Sequence, residues 1–462
     1  MVTLEAMYNL LVKQIIDKTD IEFIVYTGVA DLVKGNYNFK DFLAKKTRRI
    51  RTGKIDFERS YNFFELLTTV PNVPKIDIDP TTHTGTYIMT GGTTGVPKAT
   101  ILTHFNLISN ATQVKLILGG EQPELGVVGV LPLFHAFAIT AVMNGSIATG
   151  GWMMLFTKPP PTEDLLKALD EIPAPKGLVY PGAEILFKRI ADFPDLTQFQ
   201  NLKGKLKLCV SGAGPLHGPV QKKFQERTGG KLTEGYGLTE STCVISAGNL
   251  FGESPLGTVG MPIPGTDWAI FDSEDFEKGP IADGLPNSKY GEENSGEICA
   301  TGPQIMMGYL NKPDETADTL KVWDDRVWLR TGDIGFMRED GCISIRDRKK
   351  QLIKVAGRSV FPTEVETMLM KHEAVSEVAV AGLPDPKGEV GEIAKAWITL
   401  KPGFAGKITE DSIREWAKES MSYWKIPALI EFIEEIPKNL RIRNYRNQIS
   451  LVKHQLAHNH PE

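Results

Sequence analysis

Residues 87–98 read Tyr-Ile-Met-Thr-Gly-Gly-Thr-Thr-Gly-Val-Pro-Lys. Tyr87-Ile88-Met89 is apolar and reads as the end of a strand. The run Thr90-Gly91-Gly92-Thr93-Thr94-Gly95 follows it, and Val96-Pro97-Lys98 closes it. Glycines let a backbone wrap closely round an anion. The threonine hydroxyls add donors and Lys98 adds a positive charge. The composition is that of a phosphate cradle. It is not the G-x-x-x-x-G-K-[ST] loop, because Pro97 rather than Gly immediately precedes Lys98. Taken alone, an ordinary Gly/Thr loop has the same composition.

Outward from this loop, short apolar runs alternate with longer amphipathic stretches, which is the α/β pattern. Strands are expected at Ile21–Tyr26, Leu206–Val210, Glu297–Ala300, Val375–Ala381 and Ile393–Leu400. Helices are expected at about Pro219–Arg227 and Asp411–Ser420, the second capped by Thr409 or Asp411. Asp347-Arg348-Lys349-Lys350 marks an expected boundary between a large domain, 1–347, and a smaller one, 348–462, of a size suited to one core.

The bulk properties exclude several classes. At 462 residues the chain is long enough for two or three domains. Its net charge of −5 gives no global attraction to nucleic acid. Cys209, Cys243, Cys299 and Cys342 are far apart in sequence, with no C-x-x-C pair. A zinc site or a disulfide framework is therefore not expected, and a reducing cytosol suits them. The first residues lack the pattern of a signal peptide. Leu125–Thr157 carries no Asp, Glu, Lys or Arg, but Pro132, His135, Asn144, Gly145, Gly150 and Gly151 interrupt it. It reads as buried strand, loop and helix rather than a membrane span. Lys45–Arg51 is basic; it is either a solvated loop or a contact with an anionic membrane surface.

The loop at Thr90–Lys98, continued by Leu102-Thr103-His104-Phe105-Asn106, resembles the phosphate loop of the adenylate-forming superfamily. That superfamily comprises acyl-CoA synthetases, luciferases and peptide-synthetase adenylation domains. The Gly91-Gly92 pair is similar to that of long-chain fatty acyl-CoA ligases. Further segments follow in the family's order. Leu131-Pro132-Leu133-Phe134-His135 resembles the segment whose His lies near the reacting carboxylate and phosphate; alone, a His in an apolar run is more often a satisfied core residue. Ser211-Gly212-Ala213-Gly214-Pro215-Leu216 resembles the turn that lines adenine. Glu234-Gly235-Tyr236-Gly237-Leu238-Thr239-Glu240-Ser241 resembles the motif in which Tyr packs on adenine, Thr meets phosphate and Glu helps hold Mg²⁺. Thr331-Gly332-Asp333, a common turn by itself, resembles the motif whose Asp binds the ribose, with Arg348 beside it. Lys350 takes the hinge position.

The resemblance implies an α/β fold: a large adenylate-forming domain of stacked sheets and helices, and a small mobile α+β C-terminal domain. It implies ATP, Mg²⁺ and CoA as cofactors or co-substrates and a medium- or long-chain fatty acid as the acid. An aryl acid or a carrier-protein thiol remains the alternative, as does a catalytically impaired homologue. Two departures bear on this. Where the family has Gly and Lys in its C-terminal catalytic loop, this chain has Ile442 and Arg443. A planar guanidinium fork is a poor replacement for a compact ammonium that bridges two groups, so slowed adenylation is expected. The family also carries about a hundred more residues ahead of Leu4–Leu32. Without them an apolar face or sheet edge is expected to be open, which favours pairing into a homodimer. Ala138, where the family has Gly, is expected to narrow a pocket by one methyl.

Overall fold

The computed structural model describes residues 1–28, 55–70, 74–90, 97–156, 158–386, 388 and 390–436. The basic cluster Lys45–Arg51, the loop residues Gly91, Gly92, Thr93, Thr94 and Gly95, and Ile442 and Arg443 lie outside them. By its contacts the chain separates into a unit at residues 1–78 and another from Asp79 onward.

The first unit pairs three parallel strands, Val2–Leu4, Ile24–Thr27 and Ser60–Asn62. The strand expected at Ile21–Tyr26 therefore starts three residues later than read. Tyr8, Val12, Ile16, Ile24 and Ile55 form the unit's small core.

The second unit is built on a seven-stranded sheet in the spatial order Met261–Pro262, Val244–Ala247, Lys231–Gly237, Leu206–Ser211, Leu178–Gly182, Gly126–Gly129 and Trp152–Leu155. The last five are parallel; the first two run antiparallel at one edge. Parallel strands are buried on both faces, and alternate residues here serve two cores. Tyr180, Cys209 and Leu232 face a core completed by Phe187 and Phe224 from the helices Glu184–Ala191 and Gly218–Thr228. Val127 and Val179 face the other, completed by Val114 and Leu118 from the helix His104–Ile117 and its end. Over 125–156 the stretch without charged residues resolves into strand, a π-helical turn at Ala138–Asn144, a short helix and strand. Among the described residues no helix is long and apolar enough to cross a membrane.

A second sheet of six antiparallel strands runs Pro280–Ala282, Asp267–Phe271, Gly296–Thr301, Arg326–Met337 and Leu320–Trp323, with Ile343–Arg348 also paired to Arg326–Met337. The expected boundary at 347/348 falls at the end of this sixth strand. Beyond it come the hairpin Ile353–Val355 with Arg358–Val360, and a three-stranded sheet. There Val375–Pro384 pairs antiparallel with Glu392–Leu400, and Leu429–Phe432 pairs parallel. Val365, Leu369, Val380, Ile398 and Ile413 form a separate core under that sheet.

Local chemistry sets the helix ends. Thr103 Oγ1 accepts from the Asn106 amide, and Asn106 Oδ1 accepts from the Thr103 amide, a reciprocal cap. Part of the Leu102–Asn106 motif is therefore structural. The helix Glu410–Ser420 starts in the same way: Thr409 Oγ1 accepts from the Ser412 amide and Ser412 Oγ from the Thr409 amide, each at 3.1 Å. Of the two caps expected from sequence, Thr409 is the one used. Replacing Thr409 by Ala is expected to cost about 1 kcal/mol, read as a lower urea midpoint at unchanged slope.

Candidate functional site

Strands Thr84–Thr90 and Lys98–Thr103 pair antiparallel with Thr90 opposite Lys98. The chain therefore leaves the sheet for the Gly/Thr loop and re-enters it at facing positions. Lys98 Nζ sits over the Tyr309 ring, 4.7 Å from its centroid, a cation–π contact. The Tyr309 hydroxyl donates to Glu240 Oε1 at 2.7 Å. Burial, then the Glu240 charge, push the Tyr309 hydroxyl far above the usual phenol range, so it stays a donor. Lys98 and Glu240 are thus brought together through Tyr309, which sequence reasoning missed: it lies 69 positions from Glu240 and in no motif.

Thr239 and Glu240 open a 3-10 turn directly after the strand Lys231–Gly237. A β-bulge between Tyr236 and Gly237 aims this turn. Gly237 is required there, since a Cβ would sit 1.5 Å from the Cys243 carbonyl oxygen. One residue back, the Tyr236 hydroxyl donates to Asp333 Oδ2 at 2.6 Å. Arg348 Nε meets Asp333 Oδ1 at 2.6 Å, and the two residues face each other across paired strands. Tyr236 and Arg348, both half-buried, therefore meet on the buried carboxylate of Asp333. Burial works against the Arg348 charge, but Asp333, Tyr236 and Glu240 hold it cationic.

A second carboxylate, Glu297, supports this group and went unassigned in the sequence. It is 3% exposed and binds Arg330 at 2.6 Å and Lys349 at 3.3 Å. Its other oxygen accepts from the Gly332 amide at 3.2 Å. Lys349 Nζ also donates to the Ser273 carbonyl. Its neighbour Lys350 is exposed, on the turn Lys349–Gln351, and joins none of these groups.

His135, Gly212, Ala213, Gly235, Tyr236 and Thr239 line a cavity whose other walls are largely apolar. His135 Nδ1 accepts from the Phe137 amide at 3.2 Å, which in the neutral ring places the proton on Nε2. Gly212 lies against Phe137: a Cβ there would come within 2.9 Å of the ring. Ala213 holds φ at 67°, a conformation costly for a side chain. Gly214 and Pro215 are exposed beyond it. Ala138 does not narrow this space; it is fully buried in the π-helical turn, and Phe137 and Ala141 supply the wall.

Behind the Ser211–Leu216 turn, Glu234 is pushed up to about 8, chiefly by burial. Nearby, His217 and Glu184 pair at 2.8 Å. Burial opposes ionisation of Glu184, but this contact holds its carboxyl below the usual range and raises His217.

The sequence profile of the AMP-binding enzyme family matches residues 11–310, and that of the AMP-binding enzyme C-terminal domain matches residues 364–441. A long-chain-fatty-acid–CoA ligase of Bacillus subtilis is 36% identical over 430 residues, covering 90% of this chain and 70% of that protein. The enzyme of the same name from Escherichia coli O157:H7 is 32% identical over 437 residues, covering 92% and 72%. The chain belongs to the AMP-binding enzyme family. Its fold is that of ATP-bound MatB from Rhodopseudomonas palustris, with a TM-score of 0.75 at 22% identity, covering 98% of this chain and 79% of that one.

Glu234 yields a prediction. Its folded-state value lies above its ordinary 4.5, so between 4.5 and about 8 the folded chain holds more protons than the unfolded one. Its contribution to stability is full below that window and falls as pH rises through it. Glu234→Gln should therefore gain stability relative to the parent between pH 5 and 8. Parallel urea titrations that show a pH-independent difference would refute this.

Proposed function

We propose that this protein activates a medium- or long-chain fatty acid with ATP and transfers the acyl group to CoA. The observation that carries the reading is the continuity of two sites. The largely apolar cavity is lined in part by His135, Tyr236 and Thr239, and the same strand and turn lead to Glu240, Tyr309 and Lys98 on one side and to Asp333 and Arg348 on the other. An acyl tail and a nucleotide triphosphate placed in these two regions meet at Thr239.

In this reading a carboxylate oxygen attacks the α-phosphorus of ATP and pyrophosphate leaves. The thiolate of CoA then attacks the acyl carbon and AMP leaves. Lys98, with Thr90, Gly91, Gly92, Thr93, Thr94 and Gly95, holds the phosphates. Gly212, Ala213, Gly214, Pro215, Gly235, Tyr236 and Gly237 enclose adenine, and Asp333 with Arg348 binds the ribose. His135 and Thr239 orient the reacting groups. The catalytic contribution is positioning and fixed charge. Glu240 suits Mg²⁺, a hard cation that takes one or two carboxylates besides phosphate oxygens; when bound it would neutralise phosphate charge. Lys350 serves as the hinge about which residues 348–462 turn between the two steps. The four free, buried cysteines suit a reducing cytosol, and Lys45–Arg51 offers contact with an anionic membrane surface.

The test is pyrophosphate release with ATP and a panel of saturated fatty acids, with aryl acids beside them. Fatty acids should support release and aryl acids should not. Well-folded protein that releases pyrophosphate with no acid overturns the reading; release with aryl acids alone transfers it to another substrate class.

Ile442 and Arg443 favour a second reading, a homologue that binds the ligands but adenylates slowly. The double variant Ile442→Gly with Arg443→Lys should then raise the rate of pyrophosphate release about 100- to 1,000-fold, the worth of one well-placed donor. An unchanged rate refutes impairment at this loop.

A further inference from the structure

The cavity has a far end whose construction bears on which acids fit. The helix His104–Ile117 runs alongside it. Its start is tied to the reacting end: Asn106 Nδ2 donates to the carbonyls of Pro303 and Ile305, and the next amide, Met306, donates to the Glu240 carbonyl. Fourteen residues of helix carry the chain about 20 Å away from that point. There Val114, Ile117 and Leu118 enter the cavity wall, which Leu250 also lines; Leu118 and Leu250 belong to one buried cluster.

The helix cannot extend further. Gly119 and Gly120 follow with φ of 88° and 99°, and their amides bond back to the carbonyls of Leu116 and Lys115, a glycine stop. Leu250 is held by a turn in which Asn249 Oδ1 accepts from the amides of Phe251 and Gly252. Leu118 and Leu250 are each only 5% exposed, yet Phe251 beside them is 69% exposed. A Cβ on Gly119 would lie 3.9 Å from the Phe251 ring, and one on Gly120 would meet nothing within 4 Å. The Gln122 side chain is nearer still, 3.7 Å from that Gly119 Cβ, so beside these two leucines lie glycine backbone, the half-buried Gln122 and one exposed ring. The side walls differ. Val179 and Val210 belong to strands paired on both edges within the parallel sheet and cannot yield.

We propose that Leu118 and Leu250 form an end wall one side chain thick, which sets the length of acyl tail the cavity accepts. This rests on the acyl-activating reading above. A tail that reaches the wall gains burial with every methylene; the first methylene past it must displace a leucine. One methylene in a shaped apolar pocket is worth about 10- to 200-fold in discrimination, so the cutoff should be sharp.

The test measures chain-length profiles from C6 to C18 in two ways: pyrophosphate release, and displacement of the fluorescent fatty acid cis-parinaric acid. Displacement needs no adenylation. Leu250→Ala and, separately, Leu118→Val should move the optimum to longer acids, by about two carbons for the alanine variant. Ala247→Val, which adds bulk to a strand lining the same cavity, should move it to shorter ones. Opposite shifts in both readouts support the wall. A displacement shift without pyrophosphate release supports the wall and overturns the activity. Profiles that fall by the same factor at every length, or no displacement by any acid, overturn the wall, whatever the rate of release.

Discussion

The contact between Tyr236 and Asp333 joins the two sheets that carry the candidate site. Tyr236 is the penultimate residue of Lys231–Gly237, one of the two outermost parallel strands, and Asp333 lies in the antiparallel strand Arg326–Met337. A buried carboxylate is costly unless charge and hydrogen bonds satisfy it. Asp333 is 3% exposed and receives both, from Arg348 and from the Tyr236 hydroxyl. Removing either partner would leave a poorly compensated charge at the junction, where the ribose is proposed to bind. Sheet packing and the proposed ribose site therefore draw on the same three side chains.

Much of this was legible in the sequence because it rests on local rules. The strands Leu206–Ser211 and Gly296–Thr301 and the helix Glu410–Ser420 follow from short apolar runs, glycine punctuation and a Thr cap. Asp333 and Arg348 were paired by motif order, and cross-strand register places them face to face. What escaped the sequence depends on long-range burial. Tyr309 sits under Lys98 only because the strand Gly308–Tyr309 adds to the edge of the hairpin that carries the loop. Glu297 reads as an ordinary strand carboxylate until Arg330, Lys349 and Gly332 close round it. The protonation of Glu234 follows from burial, which no spacing reports.

Other motif residues proved to have a second duty or a different one. Asn106 caps its own helix and reaches across to Pro303 and Ile305, so its place in the Leu102–Asn106 segment is explained by architecture. Ala138 lies inside the π-helical turn rather than on the cavity. A single sequence offers no way to separate a residue that touches a ligand from one that holds the residue that does. The local sequence is the same; the difference lies in what has packed against it.

The anchoring of Lys349 has a mechanical consequence for the proposed hinge. Lys349 is held by the Ser273 carbonyl and by Glu297, while Lys350 carries neither contact. A pivot bounded on one side by a fixed residue has few soft torsions to search. Each backbone residue freed and then refixed costs about 1–2 kcal/mol of conformational entropy. Confining the swing to the φ and ψ of one residue would let a domain of a hundred residues change its orientation for the entropic cost of ordering a dipeptide.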